Sequence, residues 1–320
     1  MNENDSSAPN QTIINTLVAA GTALILLAVG TVFFISSVRS TPVQADSVSD
    51  STTSSDPLID GQAASDPVGL LAEAENLVFV LADDLDWNLF NQVPRLAALK
   101  EQGITFTNHT VTDSLCCPSR VSIMRGQYIH NHKVISNIEK TGGGWPTFRD
   151  RKEENDCLPV WLSNAGVTTA LFGKYLNDFP SEPKEAKYIP PGWDQWAVPI
   201  SRGDSYTGYN YTLNDNGTLV RYGNKTSDFL NDVITNKATQ FIQTAQQPFF
   251  LELSTYSPHK PAPVATRNAL KQGGTLAPRN PTYNSYGVDE PKWMKDKTPL
   301  NAARLAKADR QWRQRARSAE

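Results

Sequence analysis

Short apolar runs that break off on charged or nucleophilic residues constrain this chain most after position 76. "NLVFVLADD" carries the run 77–81 into Asp83 and Asp84. "VTTALFGK" carries 167–172 into Lys174, and "PFFLELSTYSPH" carries 248–254 toward His259. Runs this short, rich in β-branched and aromatic residues, are the pattern of strands buried on both faces. Helical patterns lie between them. "NQVPRLAALKEQG" admits Pro94 in a first turn and stops on Gly103, and "LPVWLSNAG" stops on Gly166. Phe229, Leu230, Val233, Ile234, Ala238, Phe241 and Ile242 recur at helical spacing over about 228–245. "ITFTNHT" (104–110) reads as a further strand, and a helix is expected from Pro118. This alternation points to a layered α/β fold around a mostly parallel sheet flanked by helices. Residues 181–227 are rich in loops, with a hairpin expected at Asn216-Gly217.

The first 75 residues have a different character. After a polar N-terminus, 1–12, the apolar run "IINTLVAAGTALILLAVGTVFFI" (13–35) is long enough to cross a bilayer as a helix. It reads as a transmembrane anchor or as a signal segment, with "VQA" (43–45) as the small-residue cleavage site. The acidic leader, lacking a positive stretch, fits the anchor better. Arg39 alone would keep the C-terminal side cytoplasmic. Asn-X-Ser/Thr sequons at Asn108, Asn210, Asn216 and Asn224 suit an exported domain instead. Residues 36–75, rich in Ser, Thr, Asp and Pro, read as a disordered linker. With a net charge of −3 over 320 residues, nothing calls for nucleic acid as a partner.

In parallel sheets ligands gather beyond the carboxyl ends of the strands, where the candidate residues fall. Asp83 and Asp84 offer hard oxygen ligands suited to Ca²⁺ or Mg²⁺, or else a plain turn or helix cap. Cys116 and Cys117 are too close to bridge each other well and lack the partners of a structural zinc site. Arg120 follows one helical turn later, and a helix start at Pro118 favours an anion. Lys174 beside Gly173, and His259 stiffened between prolines, complete the set, although each alone reads equally well as structural. Together they describe a site for a tetrahedral anion.

Cys116-Cys117-Pro118-Ser119-Arg120 resembles the Cys-X-Pro-Ser-Arg element of the sulfatases. The resemblance covers 76–320 and is strongest to the N-acetylglucosamine-6-sulfatase and heparan endosulfatase branch. It rests on "ADDLD", "SLCCPSR", "GQYIHNH", "FGKYLND", "PPGWDQW", "YNYTLNDNG" and "SPHKPAP". It implies an alkaline-phosphatase-like layered fold with a large, mostly parallel or mixed sheet. It also implies that a formylglycine-generating enzyme oxidises Cys116 to formylglycine (3-oxoalanine), with Cys117 filling the permissive position. Asp83, Asp84 and the modified Cys116 would hold Ca²⁺, with Mg²⁺ the alternative. Cys116, Arg120, Lys174 and His259 would be catalytic. His130, His132 and Asn177 are further candidates for lining the site. The implied reaction is sulfate removal from a sulfated sugar: the hydrated aldehyde attacks sulfur and its second hydroxyl expels sulfate, while His259 protonates the leaving alcohol. A glycosaminoglycan-type substrate and an extracytoplasmic location, whether secreted, luminal or membrane-anchored, follow from the same resemblance. Cys117 and Cys157 remain as a candidate disulfide.

The chain departs from the family in one respect. The later strand ending in an Asp-Asn-Gly element, which completes the family's metal site, has no counterpart before the basic, Ala-rich helical tail "LAKADRQWRQRARSAE". Two readings follow, a truncated sulfatase or a metal-deficient homologue that binds sulfated glycans. In either, exposed sheet edges, poor independent stability and low turnover are expected. A phosphoester hydrolase is a remoter alternative, because such a site favours Thr or Ser and zinc-binding histidines.

Overall fold

A computed structural model describes residues 76–320, apart from 201, 202, 286, 288 and 296, and the backbone of two strands nearer the N-terminus. Among the described residues the strands are β1 (Ala23–Val29), β2 (Val32–Ser37), β3 (Asn76–Ala82), β4 (Ile104–Thr105), β5 (Thr168–Gly173), β6 (Gln195–Pro199), β7 (Thr212–Asp215), β8 (Thr218–Arg221) and β9 (Phe249–Thr255). They form one sheet in the order β4-β2-β1-β3-β9-β5-β6-β7-β8. The helices that matter below are α1 (Trp87–Gln92), α2 (Pro94–Lys100), α3 (Cys116–Arg125), α4 (Ile129–His132), α5 (Gly144–Asp150), α6 (Leu158–Asn164), α7 (Leu230–Thr244) and α8 (Ala302–Ala319).

The centre of the sheet, β1-β3-β9-β5-β6, is parallel, and both flanks are antiparallel. The sheet is therefore mixed. Successive strand residues face opposite sides, so each central strand feeds two cores. Val78, Ala170, Phe172, Leu251 and Leu253 face α7, which buries Leu230, Val233, Ile234, Ala238, Phe241 and Ile242 against them. Phe79, Leu171 and Phe250 face the other way, onto Val121 and Met124 of α3 and Trp145 and Phe148 of α5. The result is three layers, helix–sheet–helix. Each fully buried side chain of this size contributes about 1.5–3 kcal/mol, and the buried polar residues on the central strands, Asn76, Thr169, Glu252 and Ser254, sit among them.

Several expectations change. The 104–110 strand shrinks to the two residues of β4, which pair only with β2 at the far edge. A strand there has one neighbour, so alternation alone cannot extend it. The helix expected from Pro118 starts at Cys116, and the 91–103 helix divides at Val93, the residue before Pro94, which adopts extended backbone. The hairpin at Asn216-Gly217 is found: both residues have positive φ, 49° and 82°, as its tight turn requires.

No helix among the described residues is long and apolar enough to cross a membrane. Within 13–35, where a spanning helix was expected, β1 and the start of β2 are strands, and the rest lies outside the described residues. A run rich in β-branched residues suits a strand as well as a helix. Here β1 adds in parallel to the edge of β3, so that edge is not left open. The linker expected over 36–75 lies outside the described residues except for the end of β2. Cys117 and Cys157 are buried free thiols, not a disulfide. Cys157 instead donates to the Glu154 carbonyl at 3.3 Å.

Candidate active site

Sheet register aligns the strand ends. Ala82 is opposite Thr255, and Gly173 is opposite Ser254, so Asp83 and Lys174 leave the sheet at the same level. Gly173 makes this possible: at φ 111° its missing Cβ would lie 1.9 Å from the Ser254 carbonyl oxygen. That close approach lets the Lys174 N–H donate to the same carbonyl at 2.7 Å.

Asp83 is the hub. Lys174 Nζ donates to its Oδ2 at 2.6 Å, Arg120 Nη2 donates to its Oδ1 at 3.4 Å, and Cys116 Sγ lies 3.6 Å from Oδ1. All three charged side chains are at most 6 % exposed. Burial by itself would raise the Asp83 carboxyl, but Arg120 and Lys174 outweigh it and hold the group below the usual carboxylate range. Arg120 is tied down further, donating through Nη1 to the Lys174 carbonyl at 2.9 Å and to Ser254 Oγ at 2.5 Å. Burial, and next the Asp83 charge, push the Cys116 thiol up, so at neutral pH it is protonated and a poor nucleophile as it stands.

Asp84 follows in the left-handed region, φ 60°, with an exposed carboxylate. His259 Nε2 lies 3.6 Å from Asp84 Oδ2. His259 Nδ1 is 2.6 Å from the Lys260 carbonyl, an acceptor, so that nitrogen carries a proton. Asp83, Cys116 and His259 offer ligand atoms that all lie within 4.8 Å of one another. With the Asp84 carboxylate beside them, the two aspartates supply hard oxygen donors of the kind Ca²⁺ or Mg²⁺ takes. Asp83, Asp84, Cys116 and Arg120 border a cavity of about 550 Å³, whose walls also include His109, Ser122, Lys260 and Arg315.

The other candidates stand back. His132 is fully buried behind the cavity wall. Its Nδ1 accepts the Val134 N–H at 3.1 Å, so its Nε2 carries the proton toward Ser122 Oγ at 3.0 Å. Burial, then Arg125 and Arg151, lower it to about 4, keeping it neutral. It supports the wall through Ser122. His130 is exposed and stacked on Tyr128 with ring centroids 5.6 Å apart, away from the cavity. Asn177 serves through its backbone, its carbonyl accepting the Trp145 N–H at 2.7 Å, and it does not line the cavity.

Two groups escaped the sequence reading. Glu252, in mid-strand on β9, lines a small cavity of about 10 Å³ with Arg120 and Lys174, and burial raises its carboxyl to about 7 although Arg120 works against the rise. A lone charged residue inside "PFFLELS" was the available signal. Arg315, on α8, reaches the cavity wall from the far end of the chain, and no local pattern marks it.

The sulfatase family model matches residues 75–287. An N-acetylglucosamine-6-sulfatase of Capra hircus is 33% identical over 249 residues, covering 75% of this chain and 44% of its own length. The Homo sapiens protein of the same name is 32% identical over 249 residues with the same coverage. An extracellular sulfatase SULF-1 homolog of Drosophila melanogaster is 31% identical over 228 residues, 68% of this chain and 20% of its own length. The chain thus spans less than half the length of each of these curated relatives.

Proposed function

The chain belongs to the sulfatase family, and from that premise we propose that it is a sulfuric ester hydrolase acting on a sulfated glucosamine-type sugar of glycosaminoglycan character. The observation that carries this reading is the convergence of Cys116, Arg120 and Lys174 on Asp83, at a cavity that Asp83, Cys116 and Arg120 line. Burial and the Asp83 charge keep the Cys116 thiol protonated against the pull of Arg120 and Lys174, a poor setting for thiolate chemistry, and the Cys116-Cys117-Pro118-Ser119-Arg120 element supports its conversion by a formylglycine-generating enzyme instead. The hydrated aldehyde would supply the oxygen nucleophile, and a divalent cation held by Asp83, Asp84 and position 116, Ca²⁺ in this reading, would supply charge against the sulfuryl group.

The chain's own residues then have defined tasks. Arg120, fixed by three acceptors, orients the nucleophilic side chain and one face of the sulfate without rearranging. Lys174 neutralises charge growing on the sulfuryl oxygens, while Asp83 keeps it protonated despite its burial and the nearby Arg120. His259, with Nδ1 committed to the Lys260 carbonyl, would use Nε2, which faces the Asp84 carboxylate at 3.6 Å, to carry a second proton toward the leaving sugar oxygen. The glucosamine assignment is supported by the names of the goat and human relatives. An extracytoplasmic location is supported by the name of the fly relative and by the exposure of Asn108, Asn210, Asn216 and Asn224.

The test is sulfate release from glucosamine-6-sulfate and from an aryl sulfate, by protein co-produced with a formylglycine-generating enzyme, with and without Ca²⁺. Ca²⁺-dependent release, abolished in Cys116→Ala, is expected. Glycan binding without release would instead assign a non-hydrolysing sulfated-glycan binder.

A further inference from the structure

α8 lies beyond the residues that the family model matches, yet it touches both loops that carry the cation-facing side chains. Arg315 Nη2 donates to the Asp84 carbonyl and to the Asp86 carboxylate, the latter at 3.0 Å. One residue earlier, Gln314 Nε2 donates to the Pro261 carbonyl at 2.7 Å and the Ala262 carbonyl at 3.3 Å. Ser318 Oγ meets Ser257 Oγ at 2.9 Å. The 257–262 loop held in this way bears His259. The helix is itself anchored. Trp312 and Ala316 pack on Leu85, Leu89 and Phe90, and Trp312 Nε1 donates to Gln92 Oε1 at 2.9 Å.

Asp84 makes this contact consequential. Its left-handed backbone, φ 60°, is one that aspartate tolerates better than most residues, but it is sparsely populated and benefits from an outside partner that holds it. A guanidinium bonded to Asp84's own carbonyl is such a partner, and Asp86 neutralises the charge it brings.

We propose that α8 is a positioning brace for the divalent-cation site, with Arg315 fixing Asp84 as a ligand while Gln314 and Ser318 fix the His259 loop. The proposal rests on the reading of Asp83 and Asp84 as cation ligands. Loss of such an outer partner costs a metal site about 10- to 100-fold in affinity.

Calorimetric titration of the full chain with Ca²⁺ alone, without any substrate, tests it. Arg315→Gln is expected to weaken Ca²⁺ binding about 10-fold or more, with the metal-free melting temperature close to wild type, and Arg315→Lys should recover part of the loss. Arg313→Gln, whose parent donates to the Thr275 carbonyl instead, should bind as wild type. Should Arg315→Gln fail to fold, Asp86→Asn decides, because Asp86 caps α1 by accepting the Leu89 N–H at 3.0 Å, a role Asn keeps while losing the charge that holds Arg315; weakened binding supports the brace and unchanged binding overturns it. Wild-type affinity in a folded Arg315→Gln, or an equal loss in Arg313→Gln, also overturns it. A wild-type chain that binds neither Ca²⁺ nor Mg²⁺ removes the cation reading itself, and the brace with it.

Discussion

Asp83 shows how little of a residue's role lies in its own chemistry. An isolated carboxylate as buried as this one would protonate; between Arg120 and Lys174 it stays ionised and holds both cations beside Cys116. Cys116 experiences the same carboxylate from the other side and remains a thiol. His132 illustrates the opposite case, a titratable group whose burial has a cost. Its ordinary value is 6.5 and its folded value about 4. Between those values the unfolded chain binds a proton that the folded chain does not. Stability is therefore complete above about pH 6.5 and falls toward pH 4, by up to about 3 kcal/mol from this residue. Urea midpoints measured across that range should fall less steeply in His132→Asn, whose amide can still accept the Val134 N–H; an identical pH slope would remove His132 as the cause.

At the scale of elements, the strand ends were legible because β3, β5 and β9 are continuous apolar runs that stop at Asp83, Lys174 and the His259 loop. Glu252 was only half legible: a lone charge inside an apolar run marks the position as unusual, but not the Arg120 that lies beside it. The two-residue β4 shows the limit of alternation, since "ITFTNHT" has the pattern of a strand without the neighbours to extend it. His130 and His132 were candidates through proximity in sequence to the Cys116 motif, but α4 buries His132 behind the cavity wall and leaves His130 exposed away from the cavity. Gly173 is where an element and the site meet. Alanine there requires both an unfavourable φ and a shift of β9 away from β5. Gly173→Ala should destabilise the fold by about 2–4 kcal/mol, measured by denaturant midpoint. Wild-type stability would mean that the β5–β9 approach is not as tight as the Ser254 contact implies.

Across the whole molecule, the central strands and α7 could be read locally, whereas the closure of the site could not. Arg315 meets Asp86 across 229 residues of sequence, a contact that only packing creates. The same holds for β1, whose composition suits a membrane helix until the open edge of β3 is available to it. The three layers bring together two cations, two carboxylates and a cysteine, and an account of sulfate ester hydrolysis depends on what that cysteine becomes. Mass spectrometry of the peptide containing position 116, from protein made alongside a formylglycine-generating enzyme, tests this most directly. The account predicts an aldehyde at 116, captured by a hydrazide reagent, with Cys117 still a thiol; an unmodified thiol at 116 in folded protein from such a host would contradict it.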